Sequence, residues 1–252
     1  MENLVLTADI LVLLFLVALI AGCVDTLAGG GGLIVLPALI LAGLPPLQAL
    51  GTNKLQGSMG TFTATLMMLR HRRVQWREVR LIMGTAFIGS ATGSIVLQFI
   101  DPGFLRLLIP SVLVFIAVYF LFAGRLLGVV THARVSEPVY RTVVVPGIGC
   151  YDGMFGPGTG SFFALSGVAL RGCTLLEATA IAKTLNFATN VASLIVFLVA
   201  GQIMWAAGLT MMVGQAAGAW LGSHVLFRID PQYLRALIVL ICLAMLGRYF
   251  AT

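Results

Sequence analysis

Apolar residues occupy this chain in long blocks that are separated by short polar or glycine-rich stretches. Many blocks are about 20 residues long, the length of an α-helix that crosses a hydrocarbon core about 30 Å thick. The pattern predicts five helical segments in each half of the chain. In the first half, the predicted segments are 4–28, 33–44, 46–69, 79–99 and 103–124. In the second half, they are 141–155, 161–170, 174–199, 204–227 and 231–250.

The two halves also repeat each other in sequence. The stretch GCVDTLAGGGG, which contains Asp25, matches GCYDGMFGPGTG, which contains Asp152. Further along, Lys54 matches Lys183, and IDPGFLRLLI matches IDPQYLRALI, once a short insertion in the second half is allowed for. Several different motifs in the same order indicate a duplicated unit. The predicted divisions are a first repeat at 1–124, a linker at 125–140 and a second repeat at 141–252.

Basic residues predict how the repeats are oriented. The loop RHRRVQWREVR at Arg70–Arg80 is densely positive, and such loops stay in the cytoplasm. The matching loop of the second repeat, AGQIMW, carries no charge. Equivalent loops on opposite sides of a membrane require inverted repeats. The sequence therefore predicts an all-α polytopic membrane protein of two inverted five-segment repeats, with a cytoplasmic linker and both termini outside.

The second segment of each repeat is too short to span a membrane, and it follows a glycine-rich break. We expect each to be a half-length helix, starting near Leu33 or Ser161, that turns back from the break. Each repeat then contains a glycine-broken helical hairpin, and the two breaks meet. Helix starts attract anions through unpaired N–H groups and the positive end of the dipole. The candidate anion-binding residues are Gly30, Gly31, Gly32, Gly158, Thr159 and Gly160. The alternative is that these glycines only allow close helix packing.

Two lysines also indicate a binding site for an anion. Lys54 and Lys183 each lie nine residues into a predicted helix. That depth is about 13–14 Å, near the bilayer midplane, where a lysine is costly and indicates a functional site. Neighbouring polar residues extend the candidate substrate site, namely Asn53, Gln56, Asn186 and Asn190. The alternative is a structural ion pair with Asp25 or Asp152, which are also candidates for proton coupling.

Composition and motifs exclude several other classes of protein. The chain is 60% hydrophobic and only 10% charged, unlike a soluble domain. Its net charge of +6 therefore belongs to a membrane face, and we expect no nucleic-acid partner. The four cysteines lack CxxC spacing, and no H-E-x-x-H or G-x-S-x-G motif occurs, so we expect no metal, no cofactor and no enzymatic activity. Residues 1–3 lack the positive charge of a secretory signal.

The repeated motifs resemble those of the TauE/SafE family of sulfite exporters and sulfonate-uptake permeases. The resemblance is carried by DTLAGGGGLIVLP, ALGTNKLQGS, DGMFGPGTGSFFAL and ATAIAKTLNFATN. It implies a multi-pass secondary transporter, in the bacterial inner membrane, for small sulfur-containing anions such as sulfite or sulfonates like sulfoacetate. Proton coupling and a homodimer are both compatible with it. The alternatives are a transporter of another small anion, such as an organic acid, a membrane enzyme, or a structural membrane protein.

Overall fold

The structure, a computed structural model, describes residues 7–101, 103–104 and 132–225. Over these residues it is helical and contains no strand. The helices of the first half are α1 (Ala8–Ala28), α2 (Gly31–Leu41), α3 (Pro46–Arg70) and α4 (Trp76–Gln98). Those of the second half are the short α5 (Glu137–Val139), a π-helical turn (Tyr140–Val144), α6 (Val145–Met154), α7 (Thr159–Arg171), α8 (Leu175–Val199) and α9 (Trp205–Val225).

The predicted helices agree with these bounds to within a few residues. Thr174 and Glu177 cap the start of α8 reciprocally: Thr174 Oγ1 accepts from the Glu177 N–H at 3.3 Å, and Glu177 Oε2 accepts from the Thr174 N–H at 3.0 Å. The helix that was predicted to begin at residue 141 begins earlier in the structure, at Glu137. Pro138 lies in its first turn, where the missing proline N–H costs no hydrogen bond. The predicted segments 103–124 and 231–250 and most of the linker lie outside the described residues.

The helices are those of a membrane protein. Within the described part of the chain, three are long and apolar enough to cross a bilayer, namely Ala8–Leu27, Trp76–Gln98 and Leu175–Val199. Helix α3 has 25 residues but carries buried polar side chains through its middle. The helices α2, with 11 residues, and α7, with 13, are too short to span, as the sequence predicts. The chain is a multi-pass helical membrane protein.

Helices of the two halves pack against each other in a reciprocal pattern. Helix α1 packs along α9, and α6, which matches α1 in the sequence repeat, packs along α4, which matches α9. The matching helices α3 and α8 contact each other; α3 also contacts α9, and α8 also contacts α4. This exchange brings the two lysine-bearing helices side by side in the interior.

Glycines allow the exchanged helices to approach closely. Gly218 and Gly222 of α9 lie against the backbone of α1. Gly89 and Gly93, their counterparts on α4, lie in the same way against the backbone of α6. A side chain at any of these positions would collide with backbone atoms, so the helix pairs require small residues there.

Candidate functional site

The first helix break separates α1 from α2 and is only two residues long, Gly29 and Gly30. Gly29 has a left-handed backbone with a φ of 75°, and its N–H donates to the Asp25 carbonyl at 2.7 Å. Helix α2 then begins at Gly31, two residues before the start expected near Leu33. The early start has a physical cause: the Gly31 N–H donates to Asp25 Oδ1 at 3.2 Å, so the carboxylate caps the first turn.

The second break, between α6 and α7, follows the same plan. Gly156 and Gly158 both have left-handed backbones, with φ of 89° and 78°. Helix α7 begins at Thr159, again two residues before the start expected near Ser161. Thr159 Oγ1 donates to Asp152 Oδ1 at 2.8 Å, so the aspartate before this break also holds the first turn after it.

The two breaks meet inside the protein. A Cβ atom on Gly160 would lie 2.8 Å from Gly29 Cα, and one on Gly32 would lie 3.2 Å from Pro157 Cα. Backbone therefore contacts backbone at this point, with no room for side chains. The prediction that the breaks meet is confirmed.

Lys54 and Lys183 each reach the aspartate of the opposite half. Lys54 Nζ lies 2.9 Å from Asp152 Oδ1 and donates to the Asp152 carbonyl at 2.6 Å. Lys183 Nζ lies 3.6 Å from Asp25 Oδ2 and donates to the Asp25 carbonyl. Both lysines are 1% exposed. Each ammonium neutralises a carboxylate near the C-terminal end of a broken helix, where the dipole favours a cation. Of the two interpretations of the lysines, the ion pair is the one present in this conformation.

The two aspartates differ in how many of their carboxylate oxygens have a hydrogen-bond or ion-pair partner. Asp25 accepts from the Gly31 N–H with Oδ1 and faces Lys183 with Oδ2. Asp152 receives Lys54 on Oδ1, whereas its Oδ2 is buried without a hydrogen-bond partner among the described residues. A buried polar atom without a partner is costly, so the hydrogen-bonding capacity of Asp152 Oδ2 is left unused in this conformation.

A small polar cavity lies beside the breaks. Its volume is about 30 Å³, which admits groups the size of water. The residues around it are Asp25, Gly29, Asn53, Gly57, Thr61, Asp152, Gly156, Asn186, Asn190 and Gln215. This volume is too small for a ligand larger than water, so a larger ligand requires the surrounding helices to move.

Most of the lining residues are equivalent in the sequence repeat. The equivalent pairs are Asp25 with Asp152, Gly29 with Gly156, Gly57 with Asn186 and Thr61 with Asn190. Asn53 and Gln215 are the lining residues whose counterparts, Ala182 and Ala86, are apolar. The cavity therefore lies where matching parts of the two halves come together.

Side-chain amides lie over the glycine breaks. Asn53 Nδ2 would be 3.5 Å from a Cβ on Gly156, and Asn186 Nδ2 would be 3.4 Å from a Cβ on Gly160. Asn190 Nδ2 donates to the Asn186 carbonyl at 2.8 Å, which ties these two residues together on α8. Neutral N–H donors next to helix starts suit a small oxyanion.

The structure brings some of the predicted site residues together and not others. Those that line the cavity are Asp25, Asp152, Asn53, Asn186 and Asn190. Lys54 and Lys183 are not among the lining residues but contact the aspartates that are. Gln56 Nε2 donates to Asn53 Oδ1 at 2.8 Å and so orients that side chain. The remaining residues form the N-caps and first turns of α2 and α7, namely Gly30, Gly31, Gly32, Gly158, Thr159 and Gly160.

Sequence reasoning missed Gln215 and Gly57. Gln215 lies on α9 among alanines and glycines, where no neighbouring polar residue at helical spacing points to it. Gly57 has no polar side chain, but the sequence repeat could have found it, because its counterpart is the candidate residue Asn186.

The fold and the site define a membrane transporter, a multi-pass helical protein in which two broken helices meet beside a buried polar cavity. The chain belongs to the TauE/SafE family, because the model of the family described as sulfite exporter TauE/SafE matches residues 14–249. It is a transporter and not an enzyme.

Bacterial proteins named as membrane transporters are similar to nearly the whole chain. A "Probable membrane transporter protein" of Haemophilus influenzae is 41% identical over 240 residues, which cover 95% of this chain and 94% of the relative. "Probable membrane transporter protein ORF9" of a Sinorhizobium species is 41% identical over 246 residues, which cover 98% of this chain and 94% of that relative. "Probable membrane transporter protein YfcA" of Escherichia coli K12 is 38% identical over 232 residues, which cover 92% of this chain and 86% of that relative. No solved structure matches the chain.

Proposed function

We propose that the protein is a secondary transporter that moves small sulfur-containing anions, such as sulfite or a sulfonate, across the bacterial inner membrane. The observation that carries the proposal is the polar cavity, which equivalent residues of the two halves line beside two helix breaks. The oxygens of sulfite and sulfonates accept several hydrogen bonds, which suits the amide nitrogens of Asn53 and Asn186. The family description, sulfite exporter, also favours a sulfur oxyanion.

The reciprocal helix packing supports an inverted arrangement of the repeats. With Arg70–Arg80 in the cytoplasm, the uncharged loop at 200–205 faces outside. The pair α1 and α9 would then move against the pair α4 and α6, and the cavity, which α3 and α8 also line, would open to one side at a time.

The charges of the site are balanced before an anion enters. The pairs of Lys54 with Asp152 and of Lys183 with Asp25 carry no net charge. An anion brings an additional negative charge into the interior, which is unfavourable unless a positive charge becomes available. Protonation of an aspartate frees its lysine for the anion, so that proton and anion bind together.

Asp152 is the better proton site of the two aspartates. Its Oδ2 has no hydrogen-bond partner in the described part of the chain, so a proton can bind there without displacing an existing donor. Both oxygens of Asp25 face donors, the Gly31 N–H and Lys183. We therefore assign proton coupling to Asp152, and the anion would draw Lys54 away from it.

Counterflow in proteoliposomes tests the proposed function. Vesicles loaded with unlabelled sulfite should take up labelled sulfite or methanesulfonate faster than empty vesicles. If oxalate inside the vesicles, a carboxylate that stays ionised and does not leak as a neutral acid, drives uptake equally well, the organic-acid alternative is favoured. Absence of counterflow with all of these anions, from protein that is folded and reconstituted, would contradict transport of sulfur oxyanions.

Replacing Asp152 with asparagine should remove the pH dependence of anion binding. Wild-type affinity should rise as the pH falls, because protonation of Asp152 frees Lys54. Asparagine is neutral at every pH, so the variant should bind at high pH as the wild type binds at low pH, about tenfold more tightly than wild type at high pH. Calorimetric titration across a pH series measures this, with methanesulfonate as the probe because it stays ionised throughout.

Asp25→Asn is the matched control for this experiment. It frees Lys183 at every pH, so the affinity should rise throughout the series, but Asp152 and Lys54 are intact and the change of affinity with pH should remain. If the wild type and Asp152→Asn show the same pH profile, Asp152 is not the proton site.

A further inference from the structure

One buried amide at the cavity has no partner for its oxygen. Gln215, on α9, is 2% exposed and lines the cavity, and its Oε1 makes no hydrogen bond to any of the described residues. This oxygen gave up hydrogen bonds to water on folding and gained none in return, which costs stability. We therefore expect the Gln215 side chain to have a functional role that compensates for this loss of stability.

A glycine on the neighbouring helix α3 makes room for this side chain. Gly60 of α3 lies against it, and a Cβ there would be 2.9 Å from Gln215 Nε2 and 3.1 Å from Gln215 Cδ. Gly22 of α1 lies against the Gln215 backbone carbonyl. Gly149, the counterpart of Gly22, contacts the Ala86 carbonyl in the same way, so this second contact belongs to helix packing; Gly60 is the glycine that leaves room for the Gln215 side chain.

The sequence repeat shows that helix packing does not require the amide. The counterpart of Gln215 in the first half is Ala86 on α4, which is 0% exposed. Helix α4 packs against α6 and α8 as α9 packs against α1 and α3. In the other half, Thr189 stands at the position that matches Gly60, so a larger residue on α8 accompanies the smaller residue on α4. The helices therefore pack without an amide there, and Gln215 adds a polar group to one side of a cavity that is otherwise lined mainly by equivalent pairs.

We propose that Gln215 hydrogen-bonds the transported anion and favours a headgroup with three oxygens over a carboxylate. Rotation about the last side-chain bond exchanges the amide nitrogen and oxygen, so an anion can take the NH₂ group. Asn53 on α3 and Asn186 on α8 supply donors from two helices, and Gln215 supplies one from a third. Sulfite and sulfonates have three oxygens to accept these donors, whereas a carboxylate has two. This proposal rests on the proposed function and narrows its substrate class.

Gln215→Met tests the proposal because it keeps the length of the side chain and removes the hydrogen bond. Methanesulfonate binding is measured by calorimetry on the purified full-length protein, and acetate binding by competition. Methanesulfonate affinity should fall about tenfold and acetate affinity much less, so that the preference for the sulfonate falls by a similar factor. Gly60→Ala should cause the same shift in preference without changing the amide, because its Cβ displaces Gln215.

Gln98→Met is the matched control. Gln98 Nε2 donates to the Ser94 carbonyl at 3.3 Å and does not line the cavity, so neither affinity should change. An unchanged preference in Gln215→Met, or an equal loss for both anions, would overturn the proposal. If Gln215→Met does not fold, Gln215→Ala takes its place, because it copies the residue at position 86. Wild-type protein that binds neither sulfite nor methanesulfonate would instead count against the proposed function itself.

Discussion

Replacing Lys54 with methionine should lower the free energy of unfolding by about 3–5 kcal/mol, because it leaves a buried carboxylate without its cation. Asp152 would keep the Thr159 hydroxyl as a partner, but the end of α6 would lose the ammonium that caps its carbonyl. The shift in melting temperature of the purified protein in detergent measures the loss. An unchanged melting temperature would mean that the ion pair contributes nothing to stability.

The double variant Lys54→Met with Asp152→Asn separates the structural role of the lysine from its role in binding. Removing both charges together should restore most of the stability, because the unpaired buried charge is gone. If Lys54 also serves the anion, as the coupling through Asp152 requires, the restored double variant should bind methanesulfonate at least about tenfold more weakly than wild type. Wild-type affinity in the stable double variant would make Lys54 a purely structural residue.

The corresponding pair in the other half gives an internal comparison. Lys183 lies 3.6 Å from Asp25, farther than the 2.9 Å between Lys54 and Asp152. Asp25 would also keep its hydrogen bond from the Gly31 N–H after Lys183 is removed. Lys183→Met should therefore destabilise the protein less than Lys54→Met. The reverse order would mean that the difference in geometry does not control the energetics of the two pairs.

Much of this site could be predicted because its chemistry is local in sequence and occurs twice. A lysine in the middle of an apolar helix, such as Lys54, is conspicuous in a membrane protein, and its match with Lys183 argues against chance. The partners of the lysines could not be predicted. Spacing along the chain places Asp25 and Asp152 equally well for either lysine, and only the exchange of helices between the halves selects the crossed pairs.

The first residues of the helices after the breaks, and the position of Gln215 at the cavity, could not be predicted from the sequence, for different reasons. Glycine has no side chain, so the run from Gly29 to Gly32 does not reveal where a break ends; the hydrogen bond from the Gly31 N–H to Asp25 decides it. Gln215 is a single polar residue in an apolar helix, and such a residue can face lipid, a neighbouring helix or a cavity. Its position becomes informative only once Gly60 and the cavity are seen beside it.

Replacing Gly29 with alanine should destabilise the protein by about 2–6 kcal/mol and abolish transport, for two reasons that add together. The left-handed backbone of Gly29, with a φ of 75°, costs a side-chain-bearing residue about 1–3 kcal/mol. The added Cβ would also lie 2.5 Å from the Ser161 backbone nitrogen and 2.6 Å from the Gly160 carbonyl carbon. These are backbone atoms of the opposite break, so the two breaks must separate, at a further cost of about 1–3 kcal/mol.

Substitutions at two other glycines allow the cost of backbone strain to be measured separately from the cost of close contact between the breaks. Gly201 also has a positive φ, of 66°, but a Cβ there would meet none of the described residues within 4 Å, so Gly201→Ala should cost only the backbone strain, about 1–3 kcal/mol. Gly84 lies in α4 with ordinary helical backbone and open space around it in the described part of the chain, so Gly84→Ala should stabilise the protein by about 0.5–1 kcal/mol. Melting temperatures should therefore rank Gly84→Ala above wild type, followed by Gly201→Ala and then Gly29→Ala, and only Gly29→Ala should lose counterflow. Equal melting of Gly29→Ala and Gly201→Ala, with counterflow intact in both, would mean that close contact between the two breaks is not needed for transport.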